Sequence, residues 1–260
     1  MADEKPPKPK VTYLGHASLL VEMDGMRLLT DPVFRQRIYH LRRTSPSPDP
    51  APYQDVDAII ISHLHYDHLD IPTLKALGDA PLIYVPSGAG DLLERHGIKR
   101  YREVSLGETF NVRTVKIQAV PAYHTLSRRP LGLQADCLGF VLRGSASIYF
   151  PGDTQVFPEM ADFSDDLDLA LLPVWGWGPD KGRLHMGPKD AAEALALLHP
   201  RLAVPIHWGT YMPLGMRWMR LGFQYFPPLD FAMWAQKISP EVAVHVLSPG
   251  DSLSIPAHLA

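Results

Sequence analysis

The heptapeptide Ser62-His63-Leu64-His65-Tyr66-Asp67-His68 follows directly on the apolar run Ala58 to Ile61. In an extended segment, residues two apart project to the same side, so His63, His65 and Asp67 converge, and a turn at Asp67-His68 brings in a fourth group. Neutral imidazole and carboxylate are donors for a borderline divalent ion, zinc first, with manganese and iron as alternatives. Four ligands on one loop cannot close two metal sites. Open α/β sheets put their chemistry just past the carboxyl ends of strands, and three more donors stand at such places. His124 follows the strand ending at Val120-Pro121, Asp153 follows Ser147 to Phe150 and Pro151-Gly152, and His207 follows Leu202 to Ile206. Two divalent ions roughly 3.5 to 4 Å apart share a water and lower its pKa to near neutrality, which yields a hydroxide nucleophile with no Ser or Cys required. Asp67 would orient that hydroxide while the ions neutralise charge growing on a phosphoryl or carbonyl oxygen.

Other residues are placed to support such a centre. His16, in Leu14-Gly15-His16-Ala17-Ser18, is expected to hold a ligand or the sheet edge, a structural task more than a catalytic one. Asp31, just before Pro32, is expected to hydrogen-bond a metal-bound His. Arg128 and Arg129 suit a bidentate grip on a phosphate, the alternative being a solvated basic turn. Trp175 and Trp177, in a Gly-rich loop, and the segment Tyr211 to Phe226 fit the wall of an apolar substrate pocket. That segment carries Met212, Leu214, Met216, Trp218, Met219 and Phe223 with Arg217 and Arg220, and packing in the core or in a homo-oligomer is its other reading.

The elements that must position these groups read as a mixed α/β chain. Strands are expected at Val11 to Leu14, Ser18 to Met23 and Met26 to Thr30, the last two joined by the hairpin signal Asp24-Gly25. Further strands are expected at Asp57 to Ile61, Leu82 to Val85, Thr114 to Val120, Leu138 to Leu142, Ser147 to Phe150, Leu167 to Leu172, Leu202 to Ile206 and Val242 to Leu247. Helices are expected at Pro72 to Leu77, Gly88 to His96, Lys189 to His199 and Leu229 to Ile238. The third has Pro188 at its first turn, Asp190 near the positive end of its dipole, and Ala191, Ala194, Leu195 and Leu198 on one face. Residues 42–54, with four alternating prolines, are expected to form an extended loop, because proline suits neither a helix interior nor a central strand.

Composition sets the frame. The chain has 260 residues, 46% hydrophobic and 20% charged, which suits one large core and excludes disordered, collagen-like and coiled-coil classes. Residues 1–10 are Lys/Pro/Glu-rich and expected to fray, with a single domain over 11–260. No apolar run approaches the ~20 residues of a transmembrane helix, and the N-terminus has no apolar stretch of the kind a secretory signal needs. Cys137 is the one cysteine, so no internal disulfide can form, and a reducing cytoplasm is the expected location. The net charge of −3 offers no electrostatic reason to expect nucleic acid.

Taken together, the HxHxDH motif at 63–68, His124, Gly152-Asp153-Thr154 and Ile206-His207-Trp208-Gly209-Thr210 resemble the metallo-β-lactamase fold hydrolases. Leu14-Gly15-His16-Ala17, Leu29-Thr30-Asp31-Pro32, Ile61 to Asp70 and His185-Met186-Gly187-Pro188 are similar to the N-acyl-phosphatidylethanolamine-hydrolysing phospholipase D branch and its bacterial relatives, in order, over about residues 11–215. The resemblance implies a four-layer αβ/βα sandwich of two mixed β-sheets flanked by helices, with a dinuclear site at one edge. It implies His63, His65 and His124 on one metal, Asp67, His68 and His207 on the other, and Asp153 bridging. His185 matches a functional position of that branch and becomes a candidate substrate contact or proton donor to the leaving group. No counterpart of the animal phospholipase's long N-terminal extension and membrane-binding element is expected here, so a small-molecule or lipid-like substrate is as far as the resemblance goes. It implies phosphodiester hydrolysis, the alternative being a lactone or other cyclic ester, as in proteins similar to ascorbate-6-phosphate lactonase. The oxygen-reducing diiron members place Glu where this chain has His65 and carry a flavin domain; the sequence has neither.

Overall fold

Asp24 and Gly25 both adopt positive φ, 52° and 75°, as a two-residue hairpin turn with left-handed central residues requires. The computed structural model, which describes residues 7–124, 133–163, 165–175, 185–215 and 226–256, therefore opens as a meander. β1 (Lys10–Gly15), β2 (Ser18–Met23) and β3 (Met26–Thr30) run antiparallel, as expected. β4 (Arg37–Ile38) and β5 (Leu41–Arg43) then leave this sheet, and β6 (Ala58–Ile60), α1 (Ile71–Ala76), β7 (Leu82–Pro86), α2 (Gly90–Arg95) and β8 (Tyr101–Val104) rejoin it by parallel additions to β3.

The second sheet repeats the plan in the other direction. β9 (Thr109–Val112), β10 (Val115–Pro121), β11 (Leu138–Arg143) and β12 (Ser147–Phe150) are antiparallel, and β13 (Leu169–Pro173) adds in parallel. α3 (Pro188–Leu198) leads to β14 (Leu202–Ile206), β15 (Tyr211–Pro213) pairs with β5, α4 (Phe226–Ile238) leads to β16 (Ala243–Val244), and β17 (Ser252–Ser254) returns to β1. The strand orders are β17-β1-β2-β3-β6-β7-β8 and β16-β14-β13-β12-β11-β10-β9, both mixed, with β15-β5-β4 as a small third sheet.

Burial shows why the central strands read as unbroken apolar runs. Ile60 faces inward with Val11, Tyr13, Phe140, Ile148, Leu171 and Val204, the core between the sheets. Its neighbours Ile59 and Ile61 face outward, against Leu74 and Leu93 of α1 and α2. Ala170 and Leu172 flank inward-facing Leu171 in the same way and meet Ala191, Leu195 and Phe231 of α3 and α4. The layers are therefore helix, sheet, sheet, helix. Among the described residues no helix is long and apolar enough to cross a membrane.

Three expectations need correction. Arg42 and Arg43 lie in β5, the central strand of the small sheet, because the prolines begin only at Pro46 and leave their N–H groups free to pair. The Pro-rich loop also contains a 3-10 turn at Ala51–Tyr53, since proline is tolerated in a first turn. The strand expected at Val242 to Leu247 shrinks to Ala243–Val244.

Cys137 is buried, and burial first, then the charges of Asp153 and Asp136, push its thiol up to about 12. With so little thiolate, the folded protein is expected to react with a thiol-specific disulfide reagent at pH 8 at least ~10-fold more slowly than the urea-unfolded chain; equal rates would contradict this packing.

Candidate metal centre

Each expected donor leaves the carboxyl end of a strand. Asp31 follows β3, the 63–68 loop follows β6, His124 follows β10, Asp153 follows β12 and His207 follows β14. The 63–68 loop is closed by the start of α1, where Asp70 accepts from Thr73 N at 3.1 Å and from Arg35 Nε at 2.9 Å. His68 N and Leu69 N both donate to His65 O, so the turn expected at Asp67-His68 is present.

Two groups of donor atoms result. In the first, His63 Nε2 and His124 Nε2 lie 3.0 and 3.1 Å from His65 Nδ1. In the second, Asp67 Oδ2 lies 3.9 Å from His68 Nε2 and 3.7 Å from His207 Nε2. Asp153 sits between them. Its Oδ1 is 3.3 Å from His207 Nε2, and its Oδ2 is 3.3 Å from His68 Nε2 and 4.0 Å from His124 Nε2. The structure thus brings together all seven expected ligands, drawn from positions 63 to 207.

The ring nitrogens facing away from the centre set the tautomers. His207 Nδ1 is 2.7 Å from Trp175 O, and a carbonyl only accepts, so Nδ1 carries the proton. His68 Nδ1 is 2.7 Å from Asp31 Oδ2, and His63 Nδ1 is 2.9 Å from Ser62 Oγ, which in turn donates to Asp31 Oδ2 at 2.6 Å. In each case Nδ1 is held by its outer partner and Nε2 is the nitrogen turned toward the centre, the one a metal ion binds once it carries no proton. His68 Nε2 and Asp153 Oδ1 are buried and make no hydrogen bond among the described residues. Buried polar atoms of this kind call for a partner, and a cation between the two groups is the partner that fits these donors.

Charge argues the same way. Burial lowers the His63 pKa well below the ordinary range, helped by the nearby His68 and His65, which keeps it a neutral donor. Burial alone would raise Asp67, but its hydrogen bond with His16, together with the nearby His207 and His68 rings, holds it well below the usual carboxylate range. Asp153 is likewise held down against burial by His207 and His68. Burial would lower His68 too, yet the carboxylates of Asp153 and Asp31 raise it well above the ordinary range. The cavity holds buried negative charge and demands positive charge in return.

His16 lies closer to the chemistry than expected. Its Nε2 is 3.0 Å from Asp67 Oδ2, its ring is 3.9 Å from that of His207, and its backbone carbonyl accepts from His207 N. It holds both the sheet edge and a carboxylate of the second group, and burial, with His207 next, lowers its pKa to about 3. His16, Asp31 and His207 all have positive φ, 60°, 34° and 59°, so non-glycine left-handed backbone gathers here. Strain of this sort persists at sites whose surroundings over-determine it.

His185 approaches from the lead-in to α3, its Nε2 3.3 Å from Asp153 Oδ2 and its ring 4.6 Å from that of His124. Its side chain is 14% exposed and that of Asp67 15%, against 0 to 2% for His68, Asp153 and His207, so solvent reaches the centre on their side. Tyr211 has a different task from the substrate contact expected of it. It is buried, its hydroxyl donates to Arg35 O at 2.8 Å, and its ring stacks edge-on against His16. Arg128, Arg129 and Trp177 lie outside the described residues, as do residues 216–225.

Two contributors escaped the sequence reading. Ser62 has no spacing signal of its own; the only cue is a hydroxyl placed just before the first His of the motif. Arg43, in the Pro-rich region, is buried and donates to Val33 O at 2.8 Å and to Leu14 O, beneath the Gly15-His16 turn. Nothing in the surrounding polar sequence marks it as buried.

Comparison with known proteins agrees with this geometry. The Beta-lactamase superfamily domain matches residues 26–208, from β3 through His207. The chain belongs to the metallo-β-lactamase superfamily. Among members with related sequences, a metal-dependent hydrolase of Methanopyrus kandleri is 29% identical over 257 residues, covering 94% of this chain and 98% of that protein. The N-acyl-phosphatidylethanolamine-hydrolyzing phospholipase D 1 of Caenorhabditis elegans is 32% identical over 231 residues, 78% of this chain but 64% of that longer protein. Igni18, a metallo hydrolase of Ignicoccus hospitalis, shares the superfamily fold with a TM-score of 0.70 at 21% identity, covering 96% of this chain and 99% of that one. The superfamily match contains every expected ligand, while His16 lies N-terminal to it.

Proposed function

We propose that this metal-dependent hydrolase works with two divalent cations and cleaves a phosphodiester. The observation that carries the reading is Asp153, whose two oxygens face donor atoms of both groups. Bound there, two cations, zinc by the chemistry of these donors, would supply a water acidified to near neutrality and would neutralise charge growing on the substrate oxygen. His63, His65 and His124 would hold one ion, Asp67, His68 and His207 the other, with Asp153 between. Asp67, steadied by His16, orients the attacking water, and His185, on the open side, donates a proton to the leaving group. The phosphodiester substrate is supported by the similarity to the nematode phospholipase. A small or lipid-like diester suits a centre that opens directly to solvent beside His185.

Protein purified without added metal is expected to carry about two equivalents per chain by elemental analysis and to hydrolyse bis-p-nitrophenyl phosphate in preference to sugar lactones. Turnover confined to the lactones would move the reading to a lactonase. Neither metal nor turnover would remove it.

A further inference from the structure

Asp31 is fully buried and accepts three hydrogen bonds: from Ser62 N at 2.7 Å on Oδ1, and from Ser62 Oγ at 2.6 Å and His68 Nδ1 at 2.7 Å on Oδ2. An ionised carboxylate has no proton to give, so the Ser62 hydroxyl must donate to it. That leaves the hydroxyl lone pair to accept from His63 Nδ1, at 2.9 Å. One carboxylate thereby sets the tautomer of an imidazole in each donor group, His63 through Ser62 and His68 directly, and the two rings lie 4.1 Å apart. Asp31 is itself pinned: its backbone carbonyl accepts from Ser18 Oγ at 2.7 Å, and its N donates to Ile60 O at 3.0 Å. Ser62 is in turn wedged against Gly152, where a Cβ would lie 2.5 Å from Ser62 Oγ. Neither Asp31 nor Ser62 touches the open side of the centre, so neither is a catalytic residue; both are positioning residues.

We propose that the Asp31–Ser62 pair couples the two metal sites, so that cations load as a pair. The hydroxyl serves the His63 side alone, while the carboxylate serves both sides. This rests on the two-metal reading above. Removing the hydroxyl frees the His63 ring to take the other tautomer and weakens only the His63, His65 and His124 site. Removing the carboxylate charge releases His63 and His68 together.

The test is titration of chelator-stripped protein with Co²⁺, followed by visible absorption and by ¹⁵N chemical shifts of the histidine rings. The parent is expected to take two equivalents in one steep transition, with His63 and His68 protonated at Nδ1. Ser62→Ala is expected to split the transition, leaving one site near parental affinity and the other weaker by roughly 10- to 100-fold, the range seen when a group supporting a metal ligand is lost. Asp31→Asn, which keeps the shape but cannot accept all three bonds, is expected to weaken both sites. A Ser62→Ala protein that fills both sites like the parent, or that weakens both equally, would overturn the coupling while leaving the two-metal reading intact. A parent that takes fewer than two equivalents would overturn both. The ring ¹⁵N shifts are read on metal-free protein, where those of the neutral His63 ring report its tautomer whatever the variants do to affinity.

Discussion

Asp153→Asn is expected to lower phosphodiester turnover by more than the ~100-fold typical of residues that merely support a metal ligand, and to cut bound metal from about two equivalents to one or fewer. The reason is geometric. Oδ1 faces His207, while Oδ2 faces His68, His124 and His185, so one change touches both donor groups and the proposed proton donor. An amide preserves the volume but presents one neutral oxygen and an NH₂ where two anionic oxygens stood, which suits neither a cation nor the His68 proton. Circular dichroism should stay that of the parent, since the inter-sheet core is built from apolar side chains that the change leaves in place. Parental turnover together with a full metal complement in this variant would remove Asp153 from the centre.

Gly152→Ala should have the largest effect on stability of any single methyl added at the site. Gly152 has φ +63°, and a Cβ there would sit 2.5 Å from Ser62 Oγ and closer still to Ser62 Cβ. The left-handed conformation costs a non-glycine residue about 1–2 kcal/mol, and overpacking adds roughly 1–3 kcal/mol. A loss of about 3 kcal/mol corresponds to a fall in Tm of roughly 6–12 °C for a chain of this size. Relief of the overlap would push Ser62 away from Asp31 and His63, so metal affinity should fall with stability. Differential scanning calorimetry with and without added Zn²⁺ separates the two effects. A Tm within 2 °C or so of the parent would show that the turn has room the structure does not display.

The chemistry was more legible in the sequence than its supports. Imidazoles and carboxylates at fixed spacings after apolar runs are rare enough to be read directly, and β6, β10, β12 and β14 deliver them as expected. The main strands were legible because both faces are buried, Ile59 and Ile61 outward and Ile60 inward, leaving continuous apolar runs. The small sheet was not. β4 and β5 are two and three residues long, carry Arg37, Arg42 and Arg43, and have too few positions to show any period. Arg43 and Ser62 escaped for a related reason. Their roles come from carbonyls and carboxylates that are remote in sequence, Leu14 and Val33 for one, Asp31 for the other, and only the fold brings these together. Tyr211 was misjudged because a large aromatic beside a ligand suits a pocket wall and a packed prop equally well; the carbonyl of Arg35 decides for the prop.

The two stacked sheets bring the carboxyl ends of their strands together at the centre, and neither owns it. His63, His65, Asp67 and His68 hang from the amino-terminal sheet, while His124, Asp153 and His207 hang from the other. Cations seated between them would act as rivets through the seam of the sandwich, and every increment of affinity would become cohesion between its leaves, about 2.7 kcal/mol at a hundredfold excess of free metal over Kd. In such a molecule, the atoms that cleave the substrate and the atoms that keep the leaves from parting are the same.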